Sequence, residues 1–295
     1  MNKLVYIGIV LTALNIVSGK VPAIEKQALI DLYHNTQGEY WKTTWDLSKN
    51  VSDWSGIELE NERVVTISLM NNNLSGEIPS SIGNLKNLRV LNLAFNAIGG
   101  TLPEAIVELK GLMVLRLAKN RLVGSIPENI GLLQNLVVFD LFSNGISGEI
   151  PEEISDLRKL KVISLSNNKI TGVIPDALGT LKSLERIELG DNRITGAVPK
   201  ALGKLSKLNM LVLSHNELTG RFPMEVFTIA SLRVVQLQNN NFDKNHLRKN
   251  IPAKMDLALF EFDDIRDGID KKGLYGPYSD RKVRMADTKF AEDHN

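Results

Sequence analysis

The chain of 295 residues contains no cysteine, so disulfides cannot stabilise it and a thiolate metal site is excluded. It also lacks an excess of one charge, because 35 Lys and Arg stand against 34 Asp and Glu and give a formal net charge of +1. The field that would attract a polyanion is therefore missing. We predict that nucleic acid is not a partner.

Long apolar runs are scarce as well, and the longest one lies at the start of the chain. It runs from Leu4 to Val17, follows Lys3, and is followed by the small residues Ser18 and Gly19. This layout is typical of a secretory signal peptide, and the run is shorter than the roughly 20 residues of a spanning helix. We therefore predict a signal peptide over residues 1–19, a secreted or cell-surface protein, and no stable membrane span after cleavage.

Catalytic and metal-binding motifs are missing too, including the nucleophile elbow, the paired-histidine zinc helix and the glycine-rich phosphate loops. The acidic run that begins at Asp263 fails the EF-hand template, because loop positions 3 and 12 are Ile265 and Leu274. We predict no catalytic residue, no metal and no cofactor. Glu188 and Asp191 form a carboxylate pair, which leaves a glycan-cleaving enzyme as a less favoured alternative.

What the sequence does contain is a repeat of 24 residues. Glycine keeps this interval from Gly76 to Gly220, and proline keeps it from Pro79 to Pro223. Asparagine keeps it over the longest stretch, at Asn72, Asn96, Asn120, Asn144, Asn168, Asn192, Asn216 and Asn240. A fixed period of this length is the signature of a stacked repeat architecture.

Each position of the unit has a physical explanation. Leucines alternate with variable residues, as at Leu91 and Leu93, which predicts a strand with one buried face. The asparagine that follows can satisfy both the donors and the acceptors of a turn that neighbouring coils cover. We therefore predict a ladder of stacked asparagines. The recurring glycine indicates unusual backbone angles, and the proline stops the strand.

The unit LxxLxLxxNxLxGxIPxxLGxL, as at residues 88–109, resembles the plant-type leucine-rich repeat. Proteins with this repeat include plant receptor-kinase ectodomains, polygalacturonase-inhibiting proteins and exported bacterial proteins. The resemblance covers residues 64–242. It implies an α/β solenoid, a right-handed array with a concave parallel β-sheet of about eight strands.

Residues 20–63 are predicted to form an N-terminal cap, in which one helix packs through Ile24, Ala28, Leu29, Leu32 and Tyr33. The stretches ALIDLYHNTQGEYWKTTWDL (28–47) and DWSGIELENERVVTISL (53–69) resemble the N-terminal cap of microbial leucine-rich-repeat proteins, and the absence of the paired cysteines usual in plant ectodomains favours a microbial relative. Residues 243–264 are predicted to form a short C-terminal cap with a closing strand over Leu257–Phe262. Residues 265–295 are predicted to be an irregular polar tail.

The outward positions of the strands are irregular, which indicates a binding face. Candidate partner-binding residues are Met70, Phe95, Met113, Arg116 and Phe142 in the first half, and Glu188 and Asp191 in the second. Valines at 90, 114, 138, 162 and 234 form a further column, which we interpret as structural.

These features favour a non-catalytic recognition module that binds a protein or a surface polysaccharide on the concave face. The alternative is an inhibitor of a secreted hydrolase, similar to polygalacturonase-inhibiting proteins, in which the acidic second half contacts a basic enzyme.

Overall fold

A computed structural model of the chain describes residues 20–252 and 256–263. The predicted signal peptide over 1–19 and the predicted tail over 265–295 lie outside these residues. Within the described part, no helix is long and apolar enough to cross a membrane.

One ten-stranded sheet runs the length of the molecule, and its strands follow chain order. β1 pairs with β2 in the antiparallel direction, and every later pair is parallel. The strands are β1 Ile57–Glu60, β2 Arg63–Ser68, β3 Val90–Asn92, β4 Val114–Arg116, β5 Val138–Asp140, β6 Val162–Ser164, β7 Arg186–Glu188, β8 Met210–Val212, β9 Val234–Gln236 and β10 Leu259–Glu261. The solenoid prediction is confirmed, but the expected count of about eight strands was low, because each cap adds one strand.

The sheet is held in register by the 24-residue period. Leu91 lies opposite Leu115, and Leu115 lies opposite Phe139, and all three side chains are completely buried. Their neighbours on each strand point to the other side of the sheet, since side chains alternate along a strand. One face of the sheet therefore closes the core and the other face contacts solvent.

Short 3₁₀ helices form the opposite wall of the core. Each begins directly after the repeated proline, whose fixed φ suits the entry to a helix. They span Ser80–Asn84, Glu104–Glu108, Glu128–Leu132, Glu152–Asp156, Asp176–Thr180, Lys200–Lys204 and Met224–Thr228. A minor parallel ladder joins the two walls, and it pairs Ser75–Glu77 with Ala97–Gly99, Ser147–Gly148 with Lys169–Ile170, and Thr219–Gly220 with Asn241–Phe242. The repeated glycines from Gly76 to Gly220 all have positive φ, as the sequence predicts.

The asparagine column lies in the turn after each strand and bonds to two coils at once. Asn144 is representative: its Oδ1 accepts from the Leu122 backbone N–H at 3.0 Å, and its Nδ2 donates to the Leu117 carbonyl at 3.0 Å. Both of these groups belong to the preceding coil. The same Nδ2 lies 3.1 Å from the Leu141 carbonyl of its own coil. Each side chain therefore satisfies turn backbone that no strand partner reaches.

The N-terminal cap is built around α1, which spans Ala23–Asn35, with single turns at Gly38–Tyr40 and Val51–Asp53. Ala28, Leu29 and Leu32 are buried as predicted, but Ile24 is 59% exposed. The inward position is taken instead by Glu25, which is only 1% exposed and accepts hydrogen bonds from the Arg63 Nε at 3.1 Å and the Val64 N–H at 2.9 Å. Periodicity alone could not predict this, because the carboxylate is buried only where β2 supplies donors.

The C-terminal cap contains a helix that the sequence did not indicate, α2 at Lys244–Asn250. Asp243 begins it by accepting a hydrogen bond from the His246 N–H at 2.9 Å. That bond, assisted by nearby Arg221, lowers the pKa of Asp243. β10 follows and lies within the segment predicted to form the closing strand.

We expect Asn144→Leu to lower the free energy of unfolding by about 1–3 kcal/mol, because it leaves buried backbone groups without partners. Urea denaturation measures the effect. The matched control is Asn129→Leu on the exposed helical side, which should change stability by less than about 0.5 kcal/mol. Equal effects of the two changes would contradict a structural role for the ladder.

Candidate ligand-binding face

The solvent face of the sheet consists of the residues that flank the buried centre of each strand. Val90 and Asn92 flank Leu91, and Val114 and Arg116 flank Leu115. Both flanking residues are half-buried in each strand. The valine column at 90, 114, 138 and 162 therefore lies along the middle of this face, in register from strand to strand. Together the four valines form a narrow apolar stripe.

An exposed apolar patch lies on the first half of this face. Met70, Phe95 and Met113 are 46%, 48% and 44% exposed. Backbone hydrogen bonds place them on adjacent coils: the Asn71 N–H donates to Ala94, and the Phe95 N–H donates to Ala118. Met113 directly precedes β4, whereas Met70 and Phe95 follow β2 and β3, so the three exposed residues lie at both ends of the strands.

The sequence placed Phe142 on the outward side of the strand, but the structure shows its side chain half-buried. The Lys119 Nζ lies 5.5 Å from the centroid of its ring, and the Lys119 N–H donates to the Phe142 carbonyl at 2.7 Å. A cation over an aromatic face is attracted by the ring quadrupole. Phe142 therefore joins the apolar patch to a positively charged region.

Arg116 is the polar centre of this first half. It is half-buried, and its Nε is buried without a hydrogen-bond partner among the described residues. In the sheet register it lies between Asn92 and Asp140. A buried donor without an acceptor costs free energy, about 1–3 kcal/mol for a typical group. Because Nε itself is buried, a ligand oxygen would have to bind the terminal nitrogens of this guanidinium.

The second half of the face differs, because its acids are largely compensated. Glu188 forms an ion pair with Arg186 and accepts a hydrogen bond from the Ser164 hydroxyl at 3.1 Å. Glu185 lies 3.3 Å from the Lys161 Nζ. Asp191 is 41% exposed and lies 4.0 Å from the His215 ring. Of the two predicted acidic contacts, Asp191 is therefore accessible and Glu188 is already engaged within the chain.

A further feature escaped sequence reasoning. The residue before each ladder asparagine adopts a left-handed conformation with φ between 52° and 59°, at Asn71, Phe95, Lys119, Ser143, Asn167, Asp191, His215 and Asn239. Asn, Asp and Ser predominate in this column, and their enrichment was the available signal. Phenylalanine is a poor residue for this conformation. The presence of Phe95 in this column therefore indicates backbone strain, and strain of this kind is concentrated at functional sites.

No group of three or more His, Asp or Glu side chains that could hold a metal occurs within residues 20–252 and 256–263. The face therefore offers apolar contact, the half-buried Arg116 and separated charges. It can bind a ligand through shape, charge and hydrophobic contact.

We expect Phe95→Asn to raise the free energy of unfolding by about 1 kcal/mol, because asparagine relieves the left-handed strain. Thermal or urea denaturation measures the gain. Ser143→Asn in the same column is the control and should change stability by less than about 0.5 kcal/mol. A loss of stability in Phe95→Asn would contradict the assignment of strain to this position.

Known proteins of the same architecture are similar to this chain. The leucine rich repeat family model matches residues 62–122, 134–194, 158–218 and 182–242. The structure titled PEPR1–AtPEP1 has 28% sequence identity and a TM-score of 0.68, with 74% of this chain covering 32% of that chain. The ectodomain of the Arabidopsis receptor kinase HAESA, in complex with an IDA peptide hormone ligand, has 28% identity and a TM-score of 0.67. That match covers 74% of this chain and 37% of the HAESA chain.

A plant ice-binding protein is similar over most of its length. The identity is 27%, the TM-score is 0.67, and 83% of this chain covers 87% of that chain. By contrast, this chain spans only about a third of the matched chains in the PEPR1–AtPEP1 and HAESA structures, as their coverages of 32% and 37% show. The repeat matches, the sheet register and the asparagine column agree with one another, and the chain belongs to the leucine-rich-repeat family, in its plant-type class.

Proposed function

We propose that the chain is a non-catalytic, extracellular recognition module that binds a peptide or a peptide-like segment of a protein on the solvent face of its sheet. The observation that carries the proposal is the first half of the face, where exposed Met70, Phe95 and Met113 lie on the coils of β2, β3 and β4, and β4 also carries Arg116, whose buried Nε has no hydrogen-bond partner among the described residues. Aromatic residues, methionine and arginine are enriched at protein interfaces.

Two receptor ectodomains with the same architecture support a peptide ligand. One structure is titled PEPR1–AtPEP1, and in the other the HAESA ectodomain is in complex with an IDA peptide hormone ligand. A rigid sheet also favours binding, because its side chains are held in place before the ligand arrives and little entropy is lost. A surface polysaccharide, the other ligand considered, would require more hydroxyl and amide partners than Met70, Phe95 and Met113 provide.

The alternatives draw less support from the geometry. An inhibitor with an acidic second half would depend on Glu185, Glu188 and Asp191, and the first two are ion-paired within the chain. A glycan-cleaving enzyme would need Glu188 available as acid or nucleophile, and Arg186 and Ser164 occupy its oxygens. Export through a signal peptide over 1–19 remains part of the proposal, since an extracellular ligand requires it.

We expect the triple variant Phe95→Ala, Arg116→Ala, Phe142→Ala to weaken peptide binding at least tenfold, which corresponds to about 1.4 kcal/mol. A displayed library of random twelve-residue peptides is selected on the native protein. The enriched peptides are then synthesised and their affinities measured by calorimetry.

The control replaces exposed residues on the helical side, Glu128→Ala with Leu132→Ala, and should leave the affinity unchanged. Circular dichroism of both variants checks that the fold is retained. Peptides that bind the triple variant as tightly as the native protein would show that this face is not the site.

A further inference from the structure

The stretch of the solvent face from β4 to β10 carries charge of opposite sign at its two ends, and no ion pair between described residues offsets that charge. At the β4 end, Arg116 and Lys119 make no ion pair within the described residues. Lys119 lies over the Phe142 ring instead. Asp140 is the carboxylate next to Arg116 in the register, and its Oδ1 accepts from the Phe142 N–H at 3.1 Å. This end therefore carries two cations, and its acid, Asp140, is already a hydrogen-bond acceptor within the chain.

The opposite end is acidic. Glu261 on β10 accepts hydrogen bonds from the side chains of Gln236 and Gln238, both at 2.7 Å. Asp263 accepts from the Asn239 N–H. These donors are neutral amides, so they hold the carboxylates in place without cancelling their charge. Asp191, on the coil of β7, adds a third accessible carboxylate nearer the centre.

The region between the two ends is neutralised. Lys161 pairs with Glu185, and Arg186 pairs with Glu188. The valine stripe at 90, 114, 138 and 162 runs through the basic half and stops where Arg186 takes the next place in the column. From β4 to β10 the face thus changes from basic and apolar, through paired charges, to acidic.

We infer that the ligand is an extended peptide that lies along the solenoid across the strands, with a carboxylate over Arg116 and Lys119 and a cationic group over the acidic end. This inference rests on the proposed function and specifies its ligand. A peptide of uniform charge would be repelled at one of the two ends, whereas a peptide with segregated charges is complementary to both.

The sheet spacing sets the separation of the two charges. Strands lie about 4.8 Å apart, so Asp191 is roughly 14 Å and Glu261 roughly 29 Å from Arg116 along the stack. An extended peptide advances about 3.3 Å per residue. The acidic and basic groups of the ligand should therefore be about four to nine residues apart.

The test exchanges two charges within the left-handed column: Lys119→Asp together with Asp191→Lys. Both positions have the same backbone conformation, with φ of 55° and 52°, so each accommodates the residue of the other. The net charge is unchanged and only the polarity of the face is reversed. Glu128→Lys with Lys200→Glu is the matched control, because these residues begin 3₁₀ helices on the opposite wall and are separated by the same three coils.

The probes are twelve-residue peptides enriched from the displayed library, each with a copy in which acidic and basic residues are interchanged. We expect enriched peptides to carry an acid and a base about four to nine positions apart. They should bind the exchange variant at least about tenfold more weakly and the control variant normally, and the interchanged copies should prefer the exchange variant. If the exchange impairs folding, the single variants Lys119→Asn and Asp191→Asn replace it, because asparagine suits this backbone conformation. Each removes one of the two charges and should weaken binding of the enriched peptides.

Two outcomes would overturn the inference in distinguishable ways. Enriched peptides that depend on Phe95, Arg116 and Phe142 but show no charge segregation, or that bind the exchange variant equally well, would refute the charge pattern and leave the proposed function intact. Failure to enrich any peptide that depends on this face would refute both.

Discussion

The structure depends on a single recurring interaction, in which one asparagine side chain bonds to the backbone of its own coil and of the coil before it. The turn after each strand exposes peptide groups that stacked neighbours then shield from water, and such groups must find partners. An amide side chain supplies an acceptor and two donors at one point, which no aliphatic side chain can do. Asn96, Asn120, Asn168 and Asn192 repeat the contacts seen at Asn144.

This constraint determines what is left to vary. The leucine column fills the core, the asparagine column fills the turns, and the proline and glycine columns direct the chain to the opposite wall. The residues on the solvent face of the sheet are not needed for any of these contacts. They can therefore be selected for a ligand, and the strained Phe95, the partnerless Arg116 Nε and the opposed charges are concentrated there. Departures from local stability rules are expected at functional sites.

Much of the fold could be predicted from the sequence, because a 24-residue period constrains every coil in the same way. The inward leucines, the positive φ of the glycines and the closing strand all follow from local patterns. Ile24 and Glu25 could not be predicted, since burial of a carboxylate depends on Arg63 and the Val64 N–H, which lie far along the chain. Helix α2 was not predicted because it is short and polar, and Leu247 is its single buried residue.

The candidate face was only partly predictable for a similar reason. Alternation identified which residues point outward, but it could not show that Arg186 neutralises Glu188 or that Phe142 is half-buried under Lys119. These facts depend on which side chains meet across strands. The left-handed column was missed because the irregular residues Phe95, Lys119 and His215 obscure its preference for Asn, Asp and Ser.

The most direct test of the central claim is residue-resolved hydrogen exchange at the backbone amides of Ile98, Leu122, Ile146, Ile170 and Ile194, each of which donates to the ladder asparagine of the following coil. If the ladder holds the coils together, these amides should exchange as slowly as the strand amides of the core, because both become exposed only when the coils open cooperatively. Exchange as fast as that of exposed loop amides would contradict the account.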